Sequence, residues 1–169
     1  MKNFSRNGFT IIELLVVMGI LTILLSITII AINPAHQFKN ANDGKRKSDV
    51  NSILNSVSQY IADNDGTIPT TSGINDTPKE ISAPSGAGKV DLCSIDTNGT
   101  KDFIYRYIAA IPTDPVPDLD PKTTANPVTK DSTGNCPTTY STGYGIYSVT
   151  GTNRITVYSL KEPTITETR

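Results

Sequence analysis

Glu13 is the only charged side chain in a 24-residue apolar stretch, residues 9–32. A carboxylate inside hydrocarbon costs several kcal/mol unless it is neutralised or paired, so its position marks a functional candidate that needs a cationic partner. The bland alternative is a side chain near the membrane surface that reaches water, which a position five residues into the stretch also permits. Other chemistry-bearing residues are sparse. The chain has one histidine, His36, and two cysteines, Cys93 and Cys136, with no Cys-x-x-Cys spacing. A zinc site would therefore have to recruit carboxylates. Asp114, Asp118 and Asp120 fall in a proline-rich segment where oxygen ligands for calcium could collect, although acidic proline-rich loops are common without an ion. No nucleophile elbow, phosphate loop or histidine-based arrangement is visible, so the residues do not point to an enzyme. With 15 Lys and Arg against 16 Asp and Glu, a net charge of −1 gives no sign of a nucleic-acid partner.

The element that carries Glu13 is long enough to cross a membrane: 24 residues as a helix would span roughly 36 Å, against about 30 Å of hydrocarbon. A removable secretory signal has a shorter apolar core followed by a small-residue cleavage site, and neither is present. Lys2 and Arg6 favour a cytoplasmic amino end, which delivers the polar remainder, with Cys93 and Cys136, to the far side of the membrane. Pro34 lacks a backbone donor and biases Asn33 away from helical angles, so a kink or local break is expected there. An amphipathic helix then follows to about residue 65, with Val50, Ile53, Leu54, Val57, Tyr60 and Ile61 on one face and Lys45, Ser48, Ser52, Asn55 and Gln59 on the other. Lys45-Arg46-Lys47 could be a basic patch for nucleic acid or anionic lipid, but three charges on a helix are more often part of the solvated face. Asn64-Asp65-Gly66 is turn chemistry that ends the helix.

From residue 66 to 169 the composition shifts to Thr, Ser, Gly, Pro, Asn and Asp, so loops dominate. Ile104, Ile108 and Ile111 stand at helical spacing before Pro112 and suggest a short helix, while Phe103, Tyr105, Tyr107 and Ala109 would suit one face of a strand. Residues 144–149 and 154–160 are rich in Tyr, Ile, Val and Thr around a Thr-Gly-Thr-Asn turn and read as a β-hairpin. The expected fold is α+β: a long N-terminal helix, apolar in its first half, packed on a small antiparallel sheet with a loop-rich C-terminal region. The tail after Pro163 shows no apolar pattern and is expected to be mobile. A Cys93–Cys136 bridge would enclose 42 residues and contribute about 4 kcal/mol on chain-entropy grounds; two free thiols are the alternative. Asn75-Asp76-Thr77 and Asn98-Gly99-Thr100 match the N-glycosylation acceptor, a pattern too short to be informative in a Thr-rich chain.

The string Gly8-Phe9-Thr10-Ile11-Ile12-Glu13-Leu14-Leu15-Val16-Val17 closely resembles the prepilin processing signature of type IV pilins and type II secretion pseudopilins. Tyr60-Ile61-Ala62-Asp63-Asn64-Asp65-Gly66-Thr67-Ile68-Pro69 resembles the helix end of the same families. Ile111-Pro112-Thr113-Asp114-Pro115 and Gly143-Tyr144-Gly145-Ile146-Tyr147 resemble short pieces of a pseudopilin C-terminal domain, a region in which related proteins bind calcium. The resemblance implies a leader, residues 1–8, removed by a prepilin peptidase that also methylates Phe9; a transmembrane and polymerisation helix, residues 9–32; an amphipathic helix, residues 33–65; and a globular domain, residues 66–169. It further implies a single-pass precursor in the inner (cytoplasmic) membrane with its C-terminal domain outside, and then an extracellular pilus or envelope-spanning pseudopilus. The implied partners are copies of the chain, membrane lipid before assembly, an assembly ATPase and a platform protein. Glu13 would then meet the new amine of Phe9 on a neighbouring subunit. The alternatives are a type II secretion or competence pseudopilin and a membrane-tethered binding domain that does not polymerise.

Overall fold

The computed structural model describes residues 8–66, 68, 73–84, 86–93, 104–116, 127–132, 135–149, 152 and 154–169. It divides into two compact units, Met1–Asn40 and Ala41–Arg169.

The first unit is helical. Helix α1, Ile11–Ile32, is built from an almost unbroken apolar run, and none of its residues is buried. It stops where Asn33 adopts a left-handed backbone with φ 45°, after which Pro34 opens α2, Pro34–Asp63. Proline suits a first helical position because its missing N–H would have no partner there. Of the kink or local break expected at Pro34, the structure has the break, at Asn33.

The second unit contains the rest of α2 and a five-stranded sheet of β1 (Lys79–Ala83), β2 (Lys89–Val90), β3 (Tyr140–Val149), β4 (Arg154–Ser159) and β5 (Thr166–Thr168), in the spatial order β2-β1-β3-β4-β5. The α+β class holds. The sheet is mixed rather than wholly antiparallel, because β1 and β2 pair in parallel while the other three pairings are antiparallel. β3 and β4 form the expected hairpin, with Ile146 opposite Val157 and Tyr144 opposite Ser159, and β3 begins four residues earlier than the Tyr144 start read from the sequence. The C-terminal tail departs from expectation: β5 pairs with β4, and Ile165 just before it is buried in the core. A single apolar residue anchors the tail, too little to register as a pattern. The short helix expected from Ile104 to Ile111 is one 3-10 turn, Ile104–Arg106. Ile111 instead exchanges backbone hydrogen bonds of 2.9 and 2.8 Å with Val128, so its backbone groups are spent on a bridge rather than a helix.

The core gathers Val50, Ile53, Leu54, Val57 and Tyr60 of α2 with Ile81, Val90, Leu92, Ile146, Ile155 and Val157 of and around the sheet. The α2 residues follow the i, i+3, i+4, i+7 rule for one buried face. Asp65 and Gly66 take left-handed angles, and the Gly66 amide donates to the Ile61 carbonyl at 2.9 Å, which closes the helix end. Cys93 and Cys136 are joined as a disulfide with their Cα atoms 5.8 Å apart. Beside it, Asp91 Oδ1 accepts from the Tyr140 hydroxyl at 2.7 Å and from the Cys93 amide at 3.0 Å.

Two charged residues extend the buried face of α2 upstream. Arg46, read from sequence as part of the solvated face, is 5 % exposed, and Asp49 is 2 % exposed. Arg46 donates from Nε to Asp114 Oδ2 at 2.8 Å and from Nη2 to Asp114 Oδ1 at 3.0 Å, with its remaining nitrogen on Asp43 at 2.8 Å. The bond to Asp114 holds the guanidinium charged well above its ordinary pKa, although burial acts in the opposite sense. Asp49 accepts from the Tyr144 hydroxyl at 2.9 Å and from Lys45. Burial, and then the Asp49 charge, pushes the Tyr144 phenol well above its usual pKa; burial and Asp91 do the same to Tyr140, and Tyr105 is pushed up to about 12.

Truncating Ile53, which is fully buried, to Ala should lower the unfolding free energy by about 2–5 kcal/mol in a denaturant titration, whereas truncating exposed Gln59 should change it by no more than ~0.5 kcal/mol. The raised phenols give a pH dependence with a definite sign. The folded protein keeps protons that unfolded tyrosines lose near their reference pKa of about 10, so the stabilisation is complete below that pH and falls as pH rises above it. A denaturation midpoint that stays flat from about pH 9 to 11.5, spanning the reference tyrosine pKa, would contradict this.

Candidate functional site

The residues singled out around the apolar stretch lie in the first unit. Gly8, Phe9 and Thr10 precede the helix in non-helical, exposed backbone, with Phe9 at 83 % exposure. Thr10 is the N-cap of α1: its backbone is extended, with φ −83° and ψ 149°, and its hydroxyl accepts from the Glu13 amide at 3.3 Å. The pattern Thr-x-x-Glu is a capping-box signature, in which the acidic residue also favours the positive end of the helix dipole. That signal was in the sequence and locates the start of the helix two residues after Phe9. Gly8, Phe9 and Glu13 are thus grouped within one turn of the start of α1, and Glu13 is exposed.

Beyond Glu13 the helix offers side chains suited to a non-aqueous neighbour. An 18-residue window of it has a mean hydropathy of 2.9, its 22 residues suffice to cross a membrane, and large aliphatics such as Ile11, Leu15, Leu25 and Ile30 are each more than half exposed. The hydroxyls along it are satisfied internally: Thr22 donates to the Met18 carbonyl at 2.8 Å, Ser26 to Thr22 at 2.7 Å and Thr28 to Leu25 at 2.8 Å. A hydroxyl already bonded to its own helix can enter hydrocarbon without an orphan donor. Leaving one large aliphatic in water rather than burying it forfeits roughly 1.5–3 kcal/mol, so a helix lined with them calls for lipid or protein around it.

The other sequence candidates are dispersed. Asp114 is fully buried in the second unit with both carboxylate oxygens on Arg46, while Asp118 and Asp120 lie outside the described residues. Among the described residues no group of three or more His, Cys, Asp or Glu is placed to hold a metal ion. Asn75 is exposed and accepts from the Thr77 amide at 3.1 Å, and the second Asn-Gly-Thr acceptor, residues 98–100, lies outside the described residues. Sequence reasoning missed the Arg46–Asp114 and Asp49–Tyr144 pairs. The available signal was their position, since Arg46 and Asp49 continue the helical spacing of Val50, Ile53 and Val57. With Asp114 engaged by Arg46, calcium chelation should leave the thermal unfolding midpoint unchanged, and a fall of several degrees would show a bound ion contributing to stability.

Residues 3–29 match the family model of the prokaryotic N-terminal methylation motif. Neither a curated protein nor a solved structure matches the chain. The matched segment covers Gly8, Phe9, the capped helix start, Glu13 and most of α1. The motif is that of structural subunits rather than catalysts, and with the apolar helix it fits a membrane-anchored precursor. The chain carries the signature shared by type IV pilins and pseudopilins, set at the start of a helix long and apolar enough to anchor such a precursor in a membrane.

Proposed function

We propose that this protein is a structural subunit of a type IV pilus-like filament, inserted in the membrane as a prepilin, cleaved after Gly8, methylated at Phe9 and assembled through α1. The observation that carries the reading is the methylation motif at residues 3–29, whose residues 11–29 lie on a helix with none of its residues buried. A prepilin peptidase would make the cut and methylate the new amine, and an assembly ATPase and platform protein would drive the subunit from lipid into the filament. The C-terminal domain would stand outside the cytoplasmic membrane and then on the filament surface.

The chemistry supports a use for the cut. Before cleavage the residue before Thr10 is an ordinary amide; afterwards Phe9 carries a positive amine next to the positive end of the α1 dipole. That position is unfavourable for a cation unless an anion compensates it. Glu13 is such an anion one turn away, and a carboxylate and an ammonium leaving water together lose less than either alone. Pairing between Glu13 of an incoming subunit and the Phe9 amine of a neighbour would set axial register, and aliphatic contacts along α1 would supply the cohesion.

One observation favours a pseudopilin as the second reading. The two segments that resemble pseudopilin sequence, around Asp114 and Gly143, meet in the fold: the Asp114 amide donates to the Thr142 carbonyl at 2.8 Å, and a Cβ on Gly143, at φ 76°, would lie 2.9 Å from Asp114 Cβ. Long surface fibres bearing a tagged subunit would support the pilus, and their absence in a strain with impaired protein export would support the pseudopilus.

Glu13→Ala should leave the processed mass of the subunit unchanged while lowering its recovery in sheared filaments by at least about tenfold, a loss on the order of 1.4 kcal/mol or more per subunit. Wild-type recovery of a correctly processed Glu13→Ala subunit would rule out the pairing role.

A further inference from the structure

The buried face of α2 changes chemistry along its length. From Val50 to Tyr60 it is mainly aliphatic and aromatic, whereas Arg46 and Asp49 place two charges on the same stripe. The aliphatic part is partly degenerate under a slip of one turn, about 5.4 Å: Val50 gives way to Leu54, Ile53 to Val57 and Val57 to Ile61, while Leu54 gives way to Ser58 and Tyr60 to Asn64. The charged part is not degenerate. Sliding by four residues would put Asn42 or Val50 opposite Asp114, leaving a fully buried carboxylate without its guanidinium, and Lys45 or Ile53 opposite the Tyr144 hydroxyl. An unpaired buried charge is among the most unfavourable outcomes in a protein interior, so these alternatives are excluded far more strongly than an aliphatic mismatch would exclude them.

We infer that Arg46–Asp114, together with Asp49–Tyr144, is a register lock that fixes the axial and rotational setting of residues 41–63 of α2 against β3 and residues 111–116. The acceptor side is braced for that task. The Asp114 carboxylate also accepts from the Val116 amide at 2.8 Å, its amide is held by the Thr142 carbonyl, and Gly143 leaves no room beside it for a side chain. On the helix side Asp43 takes the third guanidinium nitrogen and Lys45 pairs with Asp49. Two contacts define one setting: a two-point fork from Arg46 to Asp114 and, one turn on, the Tyr144 hydroxyl donating to Asp49. The lock belongs to the second unit alone and holds whether the chain ends in a pilus, a pseudopilus or neither.

The test uses the full chain in detergent micelles, with spin labels on Ser48→Cys of α2 and Arg154→Cys of β4, both exposed, and the native disulfide intact. The labelled parent should give one narrow distance distribution. Replacing the pair by apolar residues, Arg46→Met with Asp114→Leu, should keep a cooperative unfolding transition yet broaden or split the distribution, with components separated by up to one helical turn, about 5 Å. Arg46→Lys loses the planar fork but keeps the charge that must stay opposite Asp114, so in a folded protein it should keep the single setting. A narrow, unshifted distribution in the folded apolar double variant, or a split one in folded Arg46→Lys, would overturn the lock and leave the pair a local stabilising contact. Failure of both variants to fold would overturn it equally, since the pair would then be required for stability rather than for register.

Discussion

The constraint on which the rest depends is the apolar surface of α1. Its large aliphatics lie exposed within the chain itself, and that surface has to be withdrawn from water by lipid, by other copies of the helix or by both in turn. The assembly role proposed for α1 needs this surface left free of the chain's own core. The chain accordingly divides at residue 40, and the globular unit builds its core without α1. The few polar groups on α1 follow the same rule: its hydroxyls bond to their own backbone, and its one carboxylate stands at the capped end, within a turn of the proposed new amine.

The second unit solves a different problem, holding a helix on a small sheet with loop-rich surroundings. Aliphatic packing from Val50 to Tyr60 supplies cohesion, while specificity comes from polar pairs at its upstream edge. The disulfide between Cys93 and Cys136 and the Asp91–Tyr140 bond beside it hold the segment that follows β2. Loop closure over 43 positions is the situation in which a cross-link contributes most, and a small domain with short strands needs such a contribution.

Much of this was legible in the sequence, and the misses have physical causes. The apolar run, the break near Pro34, the stripe on α2, the turn at Asn64-Asp65-Gly66 and the β3–β4 hairpin all arise from local periodicity and turn chemistry, which act over a few residues. Arg46 was misread, and Asp49 passed over, because charge implies a solvated face unless a partner is known, and Asp114 lies 68 positions from Arg46. Asp114 was read as a possible calcium ligand for the same reason, since its guanidinium partner is distant in sequence. β1, β2 and β5 are of five, two and three residues, shorter than any window in which alternation is convincing, and pairing with longer neighbours is what makes them strands. The 3-10 turn at Ile104–Arg106 had the spacing of a helix but lost Ile111 to the bridge with Val128. Around the proposed processing site, the Thr-x-x-Glu cap was readable from two residues, and its consequence for where the helix starts required the backbone.

The central claim is that α1 is retained and used after a cut at its amino end, and the intact mass of the protein recovered from the membrane fraction tests it most directly. The account predicts a chain lacking residues 1–8, carrying one added methyl group on Phe9 and keeping all of α1. A mass corresponding to the uncut chain, or to a chain cut after the apolar stretch, would contradict it.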